Sequence, residues 1–101
     1  MSILISSTIS AVSASSATQF YVNSRQPVTL SANALAGSEE VDITYSGDGG
    51  VSFTTAFNYD TGTALVLTAT APQLELSGVG VYRVAKDATV SACSVNALSI
   101  V

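Results

Sequence analysis

The sequence predicts an all-β protein, an antiparallel β-sandwich with a jelly-roll-like or immunoglobulin-like path, and three observations point to it. β-Branched residues dominate, and apolar positions recur every second residue rather than at the three-and-four spacing of a helix. Turn-forming residues interrupt these runs at short intervals, which suits antiparallel connections better than helical crossovers. The chain has 101 residues, enough for one two-layer core and too few for two.

The first segment, residues 1–17, opens with Ile3-Leu4-Ile5 and is rich in serine. It superficially resembles a secretory signal, but its first cation is Arg25 and Ser6, Ser7 and Ser10 break the apolar stretch. It reads instead as a strand or arm preceding a single sandwich domain over residues 18–101. Ser/Thr crowding between Ser6 and Thr18 favours disorder, whereas alternating Ile3, Ile5 and Ile9 favour order gained against a neighbouring subunit. No apolar run approaches the roughly 18 residues a membrane-spanning helix needs.

Three runs show the strand period plainly. Val28, Leu30 and Ala32 share a face opposite Thr29 and Ser31; Val41, Ile43 and Tyr45 share one opposite Asp42 and Thr44; Leu65, Leu67 and Ala69 share one opposite Val66, Thr68 and Thr70. Asn23-Ser24-Arg25-Gln26-Pro27 marks a reversal before the first of these. Residues 34–40 hold the only plausible helical turn, read as a connection crossing from one sheet to the other. Gly47-Asp48-Gly49-Gly50 supplies a tight hairpin, Asp60-Thr61-Gly62 another turn, and Pro72 ends the Leu65 run. After Ser77-Gly78-Val79-Gly80, the runs Val81–Lys86 and Thr89–Val101 complete the strands.

Composition excludes several functions. Three cations against seven acids give a net charge of −4, so the chain has no basic stripe for nucleic acid and no attraction to an anionic membrane. There is no histidine, hence no histidine-based triad, and Lys86 and the carboxylates are scattered; the chain is expected not to be an enzyme. Gly49-Gly50 and Gly78-Val79-Gly80 neither open a helix nor precede a phosphate-binding lysine, so they read as turns. Asp42, Asp48 and Asp60 lack a dense calcium-loop pattern, and adjacent Glu39-Glu40 point apart in an extended chain; no metal and no cofactor are expected. Cys93 is the only cysteine, leaving no intrachain disulfide, and its alternating context reads as a small buried hydrophobe.

The aromatic residues leave two readings. In one, Phe53 and Phe57 fill the core and the tyrosines anchor their hydroxyls at its rim. In the other, Tyr21, Tyr45 or Tyr59 forms a platform on which a sugar stacks. Tyr82, Arg83 and Lys86 gather two of the three cations on one stretch, to meet either a neighbouring molecule's carboxylate or an acid of this chain such as Glu75 or Asp87.

Val28-Thr29-Leu30-Ser31-Ala32, Leu35-Ala36-Gly37-Ser38-Glu39-Glu40-Val41, the glycine-rich hairpin, Leu65-Val66-Leu67-Thr68-Ala69 and Gly78-Val79-Gly80-Val81-Tyr82-Arg83-Val84 follow one another in this order. Over residues 26–87 this arrangement resembles small β-sandwich virion proteins of tailed bacteriophages, among them capsid decoration or cement proteins. Similar phage sequences carry proline between the two glycines, where this chain has Val79. The resemblance implies a homo-oligomer, with a trimer favoured, that sits on the outer capsid surface and bridges major capsid protein subunits. It carries over no catalytic residues.

The partner-contact candidates are Ile3, Leu4, Ile5 and Ile9 near one end of the sequence, Leu98, Ile100 and Val101 near the other, and the cations Arg83 and Lys86. The apolar residues of both termini exceed what one buried face needs, although pairing within the same sandwich explains them equally well. A carbohydrate-binding or adhesion module of a phage fibre or bacterial surface protein is the alternative from another class, favoured by exposed rings in a concave patch.

Overall fold

The computed structural model describes residues 2–13, 18–22, 27–58, 61–76 and 78–99. Among these there is no helix. Nine strands form: β1 (Ser2–Thr8), β2 (Phe20–Val22), β3 (Val28–Ala32), β4 (Glu40–Ser46), β5 (Thr54–Thr55), β6 (Val66–Thr68), β7 (Gln73–Leu76), β8 (Gly80–Lys86) and β9 (Cys93–Ser99). They build two antiparallel sheets, β1-β9-β3-β7 and β2-β8-β4-β5, with β6 also paired to β4. The protein is an antiparallel β-sandwich.

Alternation decides which side chains meet between the sheets. Val28, Leu30 and Ala32 of β3, with Val95 of neighbouring β9, pack with Val41 and Ile43 of β4, Leu67 of β6 and Val84 of β8 from the other sheet in one apolar cluster. Each aliphatic side chain removed from water here contributes about 1.5–3 kcal/mol, set against the entropy of ordering the strand that carries it. In β1, Leu4 and Ile5 are both buried although they are neighbours. The cause is a bulge: Ile3 pairs with Asn96 and Ile5 with Val95, so two residues of β1 stand opposite one of β9 and Leu4 turns inward beside Ile5. In the segment set apart as a strand or arm, Ser2–Thr8 is therefore an edge strand of the sandwich, and Val12 beyond it bridges to Lys86 of the other sheet.

The glycine-rich stretch does join two antiparallel strands, with Thr44 opposite Thr55 and Tyr45 opposite Thr54, but residues 46–53 make an eight-residue loop rather than the tight hairpin expected. Elsewhere consecutive strands seldom pair. β8 lies between β2 and β4, and β9 between β1 and β3, so the chain crosses from sheet to sheet at nearly every connection. Residues 34–39 make the crossing from β3 to β4 without a helical turn: Ala34 (φ 61°) and Gly37 (φ 60°) both adopt the left-handed conformation. Glu39 braces the bend, its carboxylate accepting hydrogen bonds from Ala36 N (2.8 Å) and, across the end of the sandwich, from Val90 N (2.8 Å).

Candidate functional site

The outer face of sheet β1-β9-β3-β7 is almost uncharged. Pairing aligns Ile3, Asn96, Ser31 and Gln73 in one row and Leu98, Thr29 and Glu75 in the next. Ile3 (55%) and Leu98 (40%) are the large apolar side chains on it, and both are exposed. At one border Asn33 Oδ1 accepts hydrogen bonds from Ser94 N (2.8 Å) and Ser94 Oγ (3.0 Å), fixing the end of β9. Glu75 is the one charge in these two rows.

The two described cations occupy other positions. Alternation along β8 turns Tyr82, Val84 and Lys86 inward and leaves Arg83 on the outer face. Arg83 is half-buried, with its guanidinium 4.3 Å above the Phe53 ring and Nη2 donating to Gln19 Oε1 at 3.0 Å. These two contacts fasten the arginine within its own chain, although its Nε is buried without a partner. Lys86 is only 3% exposed; Nζ donates to Thr89 Oγ1 (3.3 Å) and to the Asp87 carbonyl (3.5 Å). Lys86 is thus removed from the contact candidates, because an inward strand position holds its charge beneath the 87–91 loop. It meets Asp87 through the backbone oxygen.

Leu4 and Ile5 are corrected in the same way, since the β1 bulge makes both of them core residues. Ile3, Ile9 and Leu98 do lie at the surface, whereas Ile100 and Val101 fall outside the described residues. Ile9 sits beside Val90 at the loop end of the molecule, where Thr89 N donates to the Ile9 carbonyl at 2.9 Å, and both apolar side chains face solvent.

Asp48 is consumed by its own hairpin. Its carboxylate accepts hydrogen bonds from Ser46 Oγ (2.6 Å), Ser52 Oγ (2.6 Å), Ser52 N (3.0 Å) and Val51 N (3.2 Å). These donors, the Ser46 and Ser52 hydroxyls foremost, hold its pKa well below the ordinary carboxylate range. Asp42 lies on the outer face of β4, and Asp60 is outside the described residues. No three metal-ligating side chains gather among the described residues. Cys93 is fully buried; desolvation pushes its thiol pKa up and the nearby Lys86 charge pulls partly the other way.

A cleft of about 440 Å³ opens on the flank where both sheets end, between β5 and β7. Tyr45 and Tyr82 line it, held with ring centroids 5.2 Å apart, and Tyr82 stacks in turn on Phe20 at 5.7 Å. Their hydroxyls donate to the carbonyls of Val79 (3.1 Å) and Gly78 (2.9 Å), so the tyrosines do anchor at the rim of the core. Gly80 permits this packing: a Cβ there would lie 2.3 Å from Tyr45 Cε1.

Phe53 and Phe57 do not fill the core, whereas Phe20 packs against it. Phe53 lies under Arg83, and Phe57 is 54% exposed in the wall of the cleft. The reason is local: β5 is only two residues long, so the strand period that predicts burial for Phe53 and Phe57 does not persist through them. Of the tyrosines named as a sugar platform, Tyr45 lines the cleft, Tyr21 is exposed on β2 at the opposite edge of its sheet, and Tyr59 lies outside the described residues. No family model, curated protein or solved structure matches the chain.

Proposed function

We propose that this chain is a non-enzymatic virion structural protein, a capsid decoration or cement protein of a tailed bacteriophage. It seats on the outer surface of the head and stabilises contacts between major capsid protein subunits. The observation that supports this best is the outer face of β1-β9-β3-β7, where Ile3 and Leu98 stand exposed among hydroxyl and amide side chains with one carboxylate. Such a face docks by burying apolar area while its short polar side chains exchange water for partner hydrogen bonds. Having little charge, it holds its contacts with little dependence on salt.

The absence of catalysis is supported by how the reactive groups are occupied. Asp48 closes a turn, Glu39 braces two loops, Arg83 is stacked on Phe53, and Lys86 and Cys93 are buried. The bulges of β1 also bear on assembly: a kinked edge strand resists open-ended strand addition, which favours a closed oligomer such as a trimer docking through its faces. A partner that binds only the assembled shell stabilises that shell by mass action, and several weak contacts per oligomer add through effective concentration.

The test is to strip heads of the protein, add back the purified chain, and follow thermal rupture by dye entry to the packaged DNA. Rupture at a higher temperature with the chain bound is the expected result. Heads that neither bind the chain nor change their rupture temperature contradict the proposal.

A further inference from the structure

We propose that the cleft between β5 and β7 binds a neutral saccharide, a function separate from docking on the head. Its volume of about 440 Å³ lies within the roughly 300–1,000 Å³ of small-molecule sites. Its walls combine the two surfaces a sugar ring requires. Tyr45 and Phe57 offer apolar ring surface for the C–H face, buried Tyr82 backs Tyr45 from below, and Thr54, Thr55 and Glu75 place hydroxyls and a carboxylate at the rim for the sugar hydroxyls.

Preorganisation distinguishes this cleft from a chance hollow. Tyr45 is fixed by its tilted packing on buried Tyr82 and by its hydrogen bond to the Val79 carbonyl, and Tyr82 by its own bond to Gly78, so little side-chain entropy is lost when a sugar ring settles on Tyr45. Phe57 differs from these two in remaining exposed, which leaves its ring surface available.

Charge selects the class of sugar. Among the described residues Glu75 is the one charged side chain lining the cleft and no cation lines it, Arg83 being held over Phe53 and Lys86 buried under the 87–91 loop. Acidic sugars are therefore repelled and neutral ones accepted. A peptide strand is the poorer occupant, since the two residues of β5 give too short a ladder for strand addition.

The test begins with an array of neutral and sialylated glycans probed with the whole chain. NMR titration of the labelled protein with the best neutral hit follows, with galacturonic acid and choline as charged controls. Expected are saturable amide shifts at Thr54, Thr55, Phe57 and Glu75 with a dissociation constant near ~1 mM, as a weak solvent-exposed site gives. Phe57→Ala should weaken binding about tenfold, equivalent to about 1.4 kcal/mol. Tyr21→Ala, whose ring lies at the opposite edge of the sheet, should leave it unchanged, and neither substitution should alter head binding. No neutral glycan bound, a preference for sialylated glycans or choline, or equal losses in Phe57→Ala and Tyr21→Ala would each overturn the proposal.

Discussion

The two sheets share one core but use their outer positions differently. Sheet β1-β9-β3-β7 is built largely from strands of four to seven residues and turns a neutral, hydroxyl-rich face outward. Sheet β2-β8-β4-β5 holds both described cations, and its outer edge breaks into the short strands β5 and β6. That broken edge leaves the cleft beside Tyr45 and Tyr82. The longer strands carry the docking face, whereas the interrupted ones leave a concavity, so one small sandwich carries two surfaces of different chemistry.

The strongest way to break this comparison is to remove core from each sheet in turn. Leu30→Ala and Ile43→Ala delete fully buried side chains from β3 and β4, and each should cost about 2–5 kcal/mol. For a domain of this size that is a large share of the total. Because both residues sit in one apolar cluster, either loss should lower a single cooperative urea transition seen equally by all probes. Separate transitions for the two sheets would show that the core is divided.

Gly80→Ala sharpens the contrast at the cleft. The new Cβ meets Tyr45 Cε1 at 2.3 Å and the Ser46 carbonyl at 3.1 Å, so the ring must move and the substitution should cost about 1–3 kcal/mol. The Tyr45 ring resonances should shift, while amides of β1 and β9 stay in place.

Lys86→Met tests whether the inward lysine is structural. Methionine keeps most of the stem and removes a buried charge whose two acceptors, at 3.3 and 3.5 Å, are neutral. The thermal midpoint should hold or rise. Alkylation of Cys93 in the folded state should become slower still, since the Lys86 charge that lowers the thiol pKa is gone.

Asp48 gives the smallest effect. Its folded pKa lies below the ordinary value of 3.8, so its stabilising contribution is complete above 3.8 and is lost as pH falls through the lower folded value. Urea midpoints of the wild type and Asp48→Asn should therefore differ by a constant amount above about pH 5, by the usual titration width, and converge below 3.8.

Much of the core was legible in the sequence because it follows period two. Val28, Leu30 and Ala32, and Val41 and Ile43 lie as the alternation predicts, and the chain reverses after β4 where the glycines place a hairpin, through a longer loop than the expected tight turn. Residues governed by register or by sheet edges were not legible. Leu4 is buried through a bulge, Lys86 through the phase of β8 against β4, and Phe57 is exposed beyond β5, which ends at Thr55. The cleft joins β5 to β7, segments some twenty residues apart whose neighbourhood depends on strand order, which local patterning does not encode.

The docking face is tested most directly by measuring the affinity of decoration-free heads for the wild-type chain and for the Ile3→Ser/Leu98→Ser double variant. Both side chains are exposed, so the thermal midpoint of the isolated protein should be nearly unchanged. Burying such side chains is worth about 1.5–3 kcal/mol each, so affinity should fall at least about tenfold. Equal affinity of the two proteins for heads, with the variant still folded, would contradict a role for this face in capsid binding.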